Sequence, residues 1–299
     1  MRILTLLVRH GTDKFPGAID DVAALFARQL PEVEWDLIVI DNMLPGNHEQ
    51  VLGPRRVLIG GSNAMREFSA WQSGLAFAGQ RLADYDFVNL ATEAFSTLYT
   101  AYLDRFNTTM LRLVAGRGVA VGHVDRYNDP VLLLGRQSQA WLRTSFVFLP
   151  PAELKMLGSL ISVAEPCGLF SGNPESPFCP DAPLSENYRD YLLGWLTGDG
   201  TGQGVEWHSR FVLSQETLPQ FQNKVIAILN EHMFSIRLRA QGCAMVDTTW
   251  LATWVSKSRR DGQQLGVIPS WRRQLTERDT DAVPSSLLFD RAFSRGPQS

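Results

Sequence analysis

The chain has 299 residues, 44% hydrophobic and 20% charged, with a formal net charge of −3; that is long enough to bury a full core and too weakly basic for a nucleic-acid footprint. Cys167, Cys179 and Cys243 carry no Cys-x-x-Cys spacing, which excludes a disulfide framework and a cysteine zinc site and leaves reduced thiols of a cytoplasmic protein as the expectation. No signal-peptide pattern opens the sequence and no window reaches the roughly 18 unbroken apolar residues of a membrane span, so a soluble protein is expected.

In chain order, Ile3 to Val8 is a short run of branched apolar residues, the pattern of a strand buried on both faces. After Pro16-Gly17, the residues Ile19, Val22, Ala23, Phe26 and Leu30 recur at helical spacing, and Pro31 closes the helix. Trp35 to Ile40 is a second buried strand, and strand, helix, strand in this order predicts a right-handed βαβ unit with parallel strands. Arg56 to Ile59 predicts a third strand, leading into a helix with Phe68, Trp71, Leu75 and Phe77; Phe87 to Ala91 predicts a fourth. Gly118 to Val121 and Ser145 to Leu149 read as strands flanking a loop with Asp125 and Asp129. The stretch 167–204, rich in Pro, Gly, Ser and Asn, reads as an insertion or lid with one helix around Tyr188 to Trp195. Leu218, Phe221, Val225, Ile226, Leu229 and Met233 mark a long amphipathic helix that stops before Gly242, and the last 25 or so residues read as a poorly ordered tail.

Each predicted parallel strand ends in polar residues. In an open parallel sheet the ligand crevice lies outside the carboxyl ends of the strands, so Asp41, Asn42, Ser62, Asn63, Thr92 and Glu93 are expected on one rim. The first strand runs into Arg9-His10-Gly11, which resembles the opening of the histidine phosphatase and phosphoglycerate mutase family. That resemblance implies a phosphoryl-accepting His10, with His123 in "VAVGH" as the second histidine. Asp41-Asn42 stands where that family carries phosphate-binding arginines, and a carboxylate there repels phosphate.

Three other segments, "DLIVIDN", "GGSNAMREFSAWQSGLAFA" and "ILNEHMFSIRLRAQG", together resemble glycosyltransferases of the GT-A fold, close to family 2 and to the rhamnan synthesis F type. The resemblance implies an α/β fold: a GT-A-like, Rossmann-type, mostly parallel sheet with helices on both faces and an acceptor-side C-terminal part. Residues 1–255 would form one domain, 1–115 its nucleotide-binding half and 116–255 its acceptor half, with 256–299 a partly disordered extension. It implies transfer of a sugar, with inversion as the family expectation, from a nucleoside diphosphate donor to a glycan or lipid-linked acceptor in cell-surface polysaccharide synthesis. Arg9, Asp41, Asn42, Ser62, Asn63, Arg66, Thr92 and Glu93 would bind the nucleotide sugar. In the third segment Glu231 matches the family glutamate, Arg237 its arginine and Gly242 its glycine, while His232 replaces the aspartate that serves as general base; Glu231 or His232 is then the base. Asp125, Trp141, Arg143, Trp207 and His208 offer the aromatic faces and donors an acceptor sugar needs.

The family's metal-binding Asp-x-Asp is missing. Thr92-Glu93 stands in its place, so no cofactor is certain and Glu93 is the one candidate ligand for Mg²⁺ or Mn²⁺. Asp84 and Asp86 precede the fourth strand and fall at the wrong edge, while Arg66, Arg143 or Lys224 can neutralise a leaving diphosphate instead. Arg259, Arg260, Trp271, Arg272 and Arg273 read as a solvated basic face, with a peripheral contact at the inner face of an anionic membrane as the alternative. A non-catalytic nucleotide- or glycan-binding relative is the alternative that the missing Asp-x-Asp and His232 favour.

Overall fold

The structure is a computed structural model that describes residues 1–97, 100–165, 167–198, 212–261 and 264–279. Its centre is an eight-stranded sheet in the order β12-β6-β9-β5-β1-β2-β4-β3. The strands are β1 (Arg2–Arg9), β2 (Glu34–Asp41), β3 (Glu49–Gly53), β4 (Arg56–Gly60), β5 (Phe87–Thr92), β6 (Val119–Gly122), β9 (Phe146–Leu149) and β12 (Ala244–Asp247). β1 pairs in parallel with β2 and β5, β2 with β4, and β6 with β12; β3 and β9 run antiparallel to their neighbours. Six strands therefore share one direction, and their carboxyl ends form one edge.

The apolar strands are buried on both faces because each face has its own core. Along β1, Ile3 and Leu7 enter one cluster and Leu4, Leu6 and Val8 the other. Helices α1 (Ala18–Gln29), α3 (Thr108–Val114) and α7 (Thr248–Asp261) cover the first face through Val22, Phe26, Met110 and Trp250. Helices α2 (Arg66–Ala78), α4 (Pro151–Leu157), the last turns of α6 (Leu218–Ala240) and α8 (Trp271–Asp279) cover the second through Phe68, Trp71, Leu154, Phe234 and Leu275.

A third cluster joins the first turns of α6 to α5 (Glu186–Thr197) and to the hairpin of β7 (Val124–Leu133) and β8 (Arg136–Leu142). The segment read as a loop around Asp125 and Asp129 is this hairpin: Tyr127, Val131 and Leu133 face inward, and Leu134-Gly135 turn the chain with φ of 48° and 73°. Two positive φ values at the turn match the right-handed twist of a hairpin. Within 167–204, β10 (Phe170–Asn173) and β11 (Ser176–Phe178) form a small hairpin before α5.

Residue 255 lies inside α7, and α8 packs against β12. Buried Gln274 closes the β12 edge: its Oε1 accepts from the Asp247 N–H at 2.8 Å and its Nε2 donates to the Met245 carbonyl at 3.0 Å. This satisfies strand groups that an open edge would expose. Arg272 donates to Gln139, Arg273 pairs with Glu277 at 2.6 Å and Arg278 with Asp247 at 2.8 Å, so all three arginines of α8 have protein partners. Among the described residues no helix is long and apolar enough to cross a membrane.

Gly60 and Gly61 owe their identity to the chain itself. A Cβ on Gly60 would lie 1.7 Å from the Pro45 carbonyl oxygen, and one on Gly61 2.4 Å from Asn42 Oδ1. The Gly60 N–H donates to the His48 carbonyl at 3.0 Å, which locks the loop after β2 onto β4. Gly60→Ala is expected to destabilise the fold by about 3 kcal/mol or more; an unchanged thermal midpoint would contradict this close approach.

Candidate functional site at the carboxyl edge of the sheet

The shared edge gathers the ends of β1, β2, β4, β5, β6 and β12, as the polar strand ends suggested. At its centre Asp41, 3% exposed, accepts from Arg9 Nε at 2.7 Å, the Gly11 N–H at 3.0 Å and the Met43 N–H at 2.9 Å. Burial pushes its pKa up, but the Met43 and Gly11 amides and the Arg9 guanidinium outweigh burial and hold the carboxyl below its ordinary value. Asp41 and Arg9 are thus committed to each other and to the loops behind β1 and β2. Next to them Glu93 accepts from the His10 N–H at 2.9 Å, and Asn42 donates to Asn63 at 3.3 Å. His10 accordingly stands between two carboxylates, with its neighbouring cation already paired, which is a poor environment for phosphate.

Helix α2 begins at this edge. Ser69 Oγ accepts from the Met65 N–H at 3.0 Å and donates to the Ser62 carbonyl at 2.5 Å, folding Ser62 to Met65 back over the first turn. Arg66 takes a left-handed φ of 51°, uncommon for a branched-chain-free side chain of its size, and its Nε is buried with no hydrogen-bond partner among the described residues. Lys224 of α6 lies close by: burial lowers its pKa, Arg66 adds to that, Glu67 opposes it and Lys14 adds again. Arg66 and Lys14 thus both act on Lys224, and Arg66 opens α2, where the helix dipole favours an anion.

The other half of the edge is built around Glu231. It lies in the middle of α6, and its Oε1 accepts from both the Thr144 N–H at 2.7 Å and the Thr144 hydroxyl at 2.9 Å. One helical turn on, Ser235 Oγ accepts from the Leu142 N–H at 2.9 Å, so an i, i+4 pair on α6 receives the chain between β8 and β9. That same chain is tied to the sheet, since the Arg143 N–H donates to the His123 carbonyl and the Thr92 N–H to the Ser145 carbonyl, both at 3.0 Å. The end of β5 and the Glu231 carboxylate are therefore joined through two residues, Thr144 and Ser145.

Burial raises the Glu231 pKa, the two Thr144 donors lower it, and Glu67 and Asp125 raise it again, to about 7. Asp125 sits in a bidentate pair with Arg143 and receives His123 Nε2 at 3.3 Å. Burial would raise its pKa, but Arg143 and His123 hold it well below the usual carboxylate range. His123 stacks on Tyr102 at 5.1 Å. The next carboxylate along, fully buried Asp247, accepts from the Val124 and Trp250 amides and from Arg278 of α8 at 2.8 Å.

Two residues expected at the site are buried elsewhere. His232 is 1% exposed, its Nδ1 held at 2.5 and 2.6 Å from the hydroxyls of Tyr127 and Tyr188, and burial lowers its pKa to about 3. It is a neutral core imidazole on the helix face away from Glu231's. Trp141, 3% exposed, packs on Tyr127 and His232 at 4.5 and 4.4 Å and presents no open face to a sugar. Arg237 likewise serves the scaffold, donating to the Leu157 carbonyl at 2.7 Å, and Gly242 ends α6 with a φ of 94°. Trp207 and His208 lie outside the described residues. Thr144, Ser235 and Lys14 were not singled out by sequence; a single threonine in "LRTSF" carries no motif.

The described residues do not make a dedicated divalent-cation site. Asp41 is filled by three protein donors, Glu93 is held by an amide, and no group of three His, Cys, Asp or Glu side chains suited to a metal occurs among the described residues.

No protein-family model matches the chain, and no curated protein is significantly similar to it. Among solved structures it is similar to a 4-diphosphocytidyl-2C-methyl-D-erythritol synthase, with 11% identity over 52% of this chain and 78% of that one and a TM-score of 0.33. It is also similar to the mannosyltransferase PcManGT from Pyrobaculum calidifontis, solved in complex with GDP-Man and Mn2+, with 11% identity over 99% of this chain and 88% of that one and a TM-score of 0.34. Both likenesses are slight.

Proposed function

We propose that the chain is a glycosyltransferase that moves a sugar from a nucleoside diphosphate donor to a hydroxyl acceptor, with Glu231 as general base. The observation that carries this reading is a carboxylate held near pKa 7 at the carboxyl edge of a mostly parallel sheet, with Glu67 acting both on it and on Lys224, which in turn feels Arg66 and Lys14. A base of that pKa is half ionised at neutral pH, which suits it to accept a hydroxyl proton.

In this reading the acceptor oxygen attacks the anomeric carbon as its proton passes to Glu231. The bond from that carbon to the diphosphate oxygen breaks, and the departing electron pair stays on the diphosphate. Arg66, Lys224 and Lys14 stabilise the charge that develops there. One displacement of this kind inverts the anomeric centre. Asn42, Ser62, Asn63, Thr92 and Glu93 line the donor edge, Asp41 and Arg9 hold its loops in shape, and Asp125-Arg143 lies on the acceptor side. A glycan or lipid-linked acceptor in surface polysaccharide synthesis remains the proposed setting.

The test is a thermal-shift screen of the full chain with nucleoside diphosphates and nucleotide sugars. Stabilisation by at least one diphosphate, present with or without Mn²⁺, is expected, since a ligand of the folded state raises the midpoint in proportion to its affinity. The absence of a response to every nucleotide would end the transferase reading.

A further inference from the structure

We infer that Thr144 is the positioning residue of the base: it commits Glu231 Oε1 to two protein donors and so leaves Oε2 to the acceptor hydroxyl. The inference rests on the transferase reading and deepens it. Oε1 accepts from the Thr144 N–H at 2.7 Å and from its hydroxyl at 2.9 Å, whereas Oε2 accepts from no described residue. A carboxylate bonded through one oxygen only has its other lone pairs free for a proton.

Thr144 can act this way because it is itself immobilised. It is 3% exposed, and the residues on either side are bonded into the sheet edge by Arg143 N–H to His123 and Thr92 N–H to Ser145. The backbone amide alone does not require a glutamate. One turn along α6 the equivalent amide, that of Leu142, is satisfied by the neutral hydroxyl of Ser235. At position 231 the chain instead buries an ionisable group, an expensive choice if only an acceptor were needed.

The Thr144 hydroxyl adds a second donor, which favours the ionised carboxylate against the groups that oppose it. Opposition comes first from burial and then from Glu67 on α2 and Asp125 on β7, the latter with Arg143 against it; the phenols Tyr102, Tyr127, Tyr188 and Tyr191 feel the Glu231 charge but stay neutral where it titrates. Removing the hydroxyl while keeping the amide should therefore raise the pH at which Glu231 ionises.

The experiment is a ¹³C NMR titration of the full chain labelled at the glutamate carboxyl, with the Glu231 signal assigned by its loss in Glu231→Gln. Thr144→Val, nearly isosteric, is expected to move the Glu231 midpoint upward by about one pH unit, the value of one hydrogen bond to a charged group. Thr144→Ser is expected to restore it. An unchanged midpoint in Thr144→Val, or an equal rise in Thr144→Ser, would overturn the assignment. Because the titration needs neither donor nor acceptor, its outcome is separate from that of the nucleotide screen, whose failure would end the transferase reading.

Discussion

Glu231→Gln is expected to lower the turnover of sugar transfer by about 10²–10⁴-fold, the usual contribution of a general base, with little change in nucleotide binding. Glutamine keeps an oxygen for both Thr144 donors and loses only the ability to take a proton. The wild-type rate should rise with pH and level off above about 7, where Glu231 is ionised. Stability moves the other way. The folded carboxyl holds its proton up to about pH 7 against an ordinary value of 4.5, so its contribution is fully present below about pH 4.5 and is lost as pH rises through about 7. At pH 8 the ionised side chain costs the fold on the order of 2 kcal/mol, a figure reduced for the solvent that reaches Oε2. The glutamine variant should thus unfold at a higher temperature than wild type at pH 8, with the gap closing toward pH 4.5. Equal turnover together with an unchanged gap across that range would remove Glu231 from the mechanism. A loss of turnover without any gap would leave it as a structural acceptor.

Arg66→Gln and Lys224→Gln are each expected to weaken binding of a nucleoside diphosphate by about 10–100-fold, the value of a charge-assisted hydrogen bond in a partly buried site. Their effects should not add, because the two side chains share one field. Affinity should also fall with added salt more steeply in wild type than in either variant. Isothermal titration with and without a chelator separates this from metal-mediated binding. If chelation abolishes binding and Arg66→Gln leaves it intact, the diphosphate is held by a metal and Arg66 and Lys224 play another part. A non-catalytic binding protein would reproduce the losses at Arg66 and Lys224 and show no turnover for Glu231→Gln to reduce.

The part of the fold visible in the sequence is the part whose burial is two-sided. β1, β2, β4 and β5 are continuous apolar runs because helices cover both faces, and α1 and α6 have clear helical spacing. β3 was invisible because nearly every one of its residues is exposed at the sheet edge. The β7–β8 hairpin was hidden by polar residues on its outer face, and α8 by resting on little more than Gln274 and Leu275. The polar strand ends do gather on one edge of the sheet, but strand ends alone do not tell which side chains point outward. Asp41 looked like a ligand contact and is a hub for its own loops; the partners that decide this, Gly11 and Met43, contribute only backbone amides. Glu231 and His232 are adjacent in sequence and about 100° apart on the helix, so one reaches the edge and the other enters the core. Thr144 becomes legible only once β9 brings it beside α6.

The placement of β12 has a consequence for how the molecule is made. Ala244 pairs with Val119, so the partner of β6 is synthesised only after β7, β8, β9 and the whole of α6. Until then β6 carries an unpaired edge inside a sheet that is otherwise able to assemble, and contacts so distant along the chain close slowly. The nascent chain spends its vulnerable interval with that edge open, and Gln274 seals β12 only when α8 follows. Assembly of the carboxyl edge, to which Asp247 belongs, is thereby tied to α8.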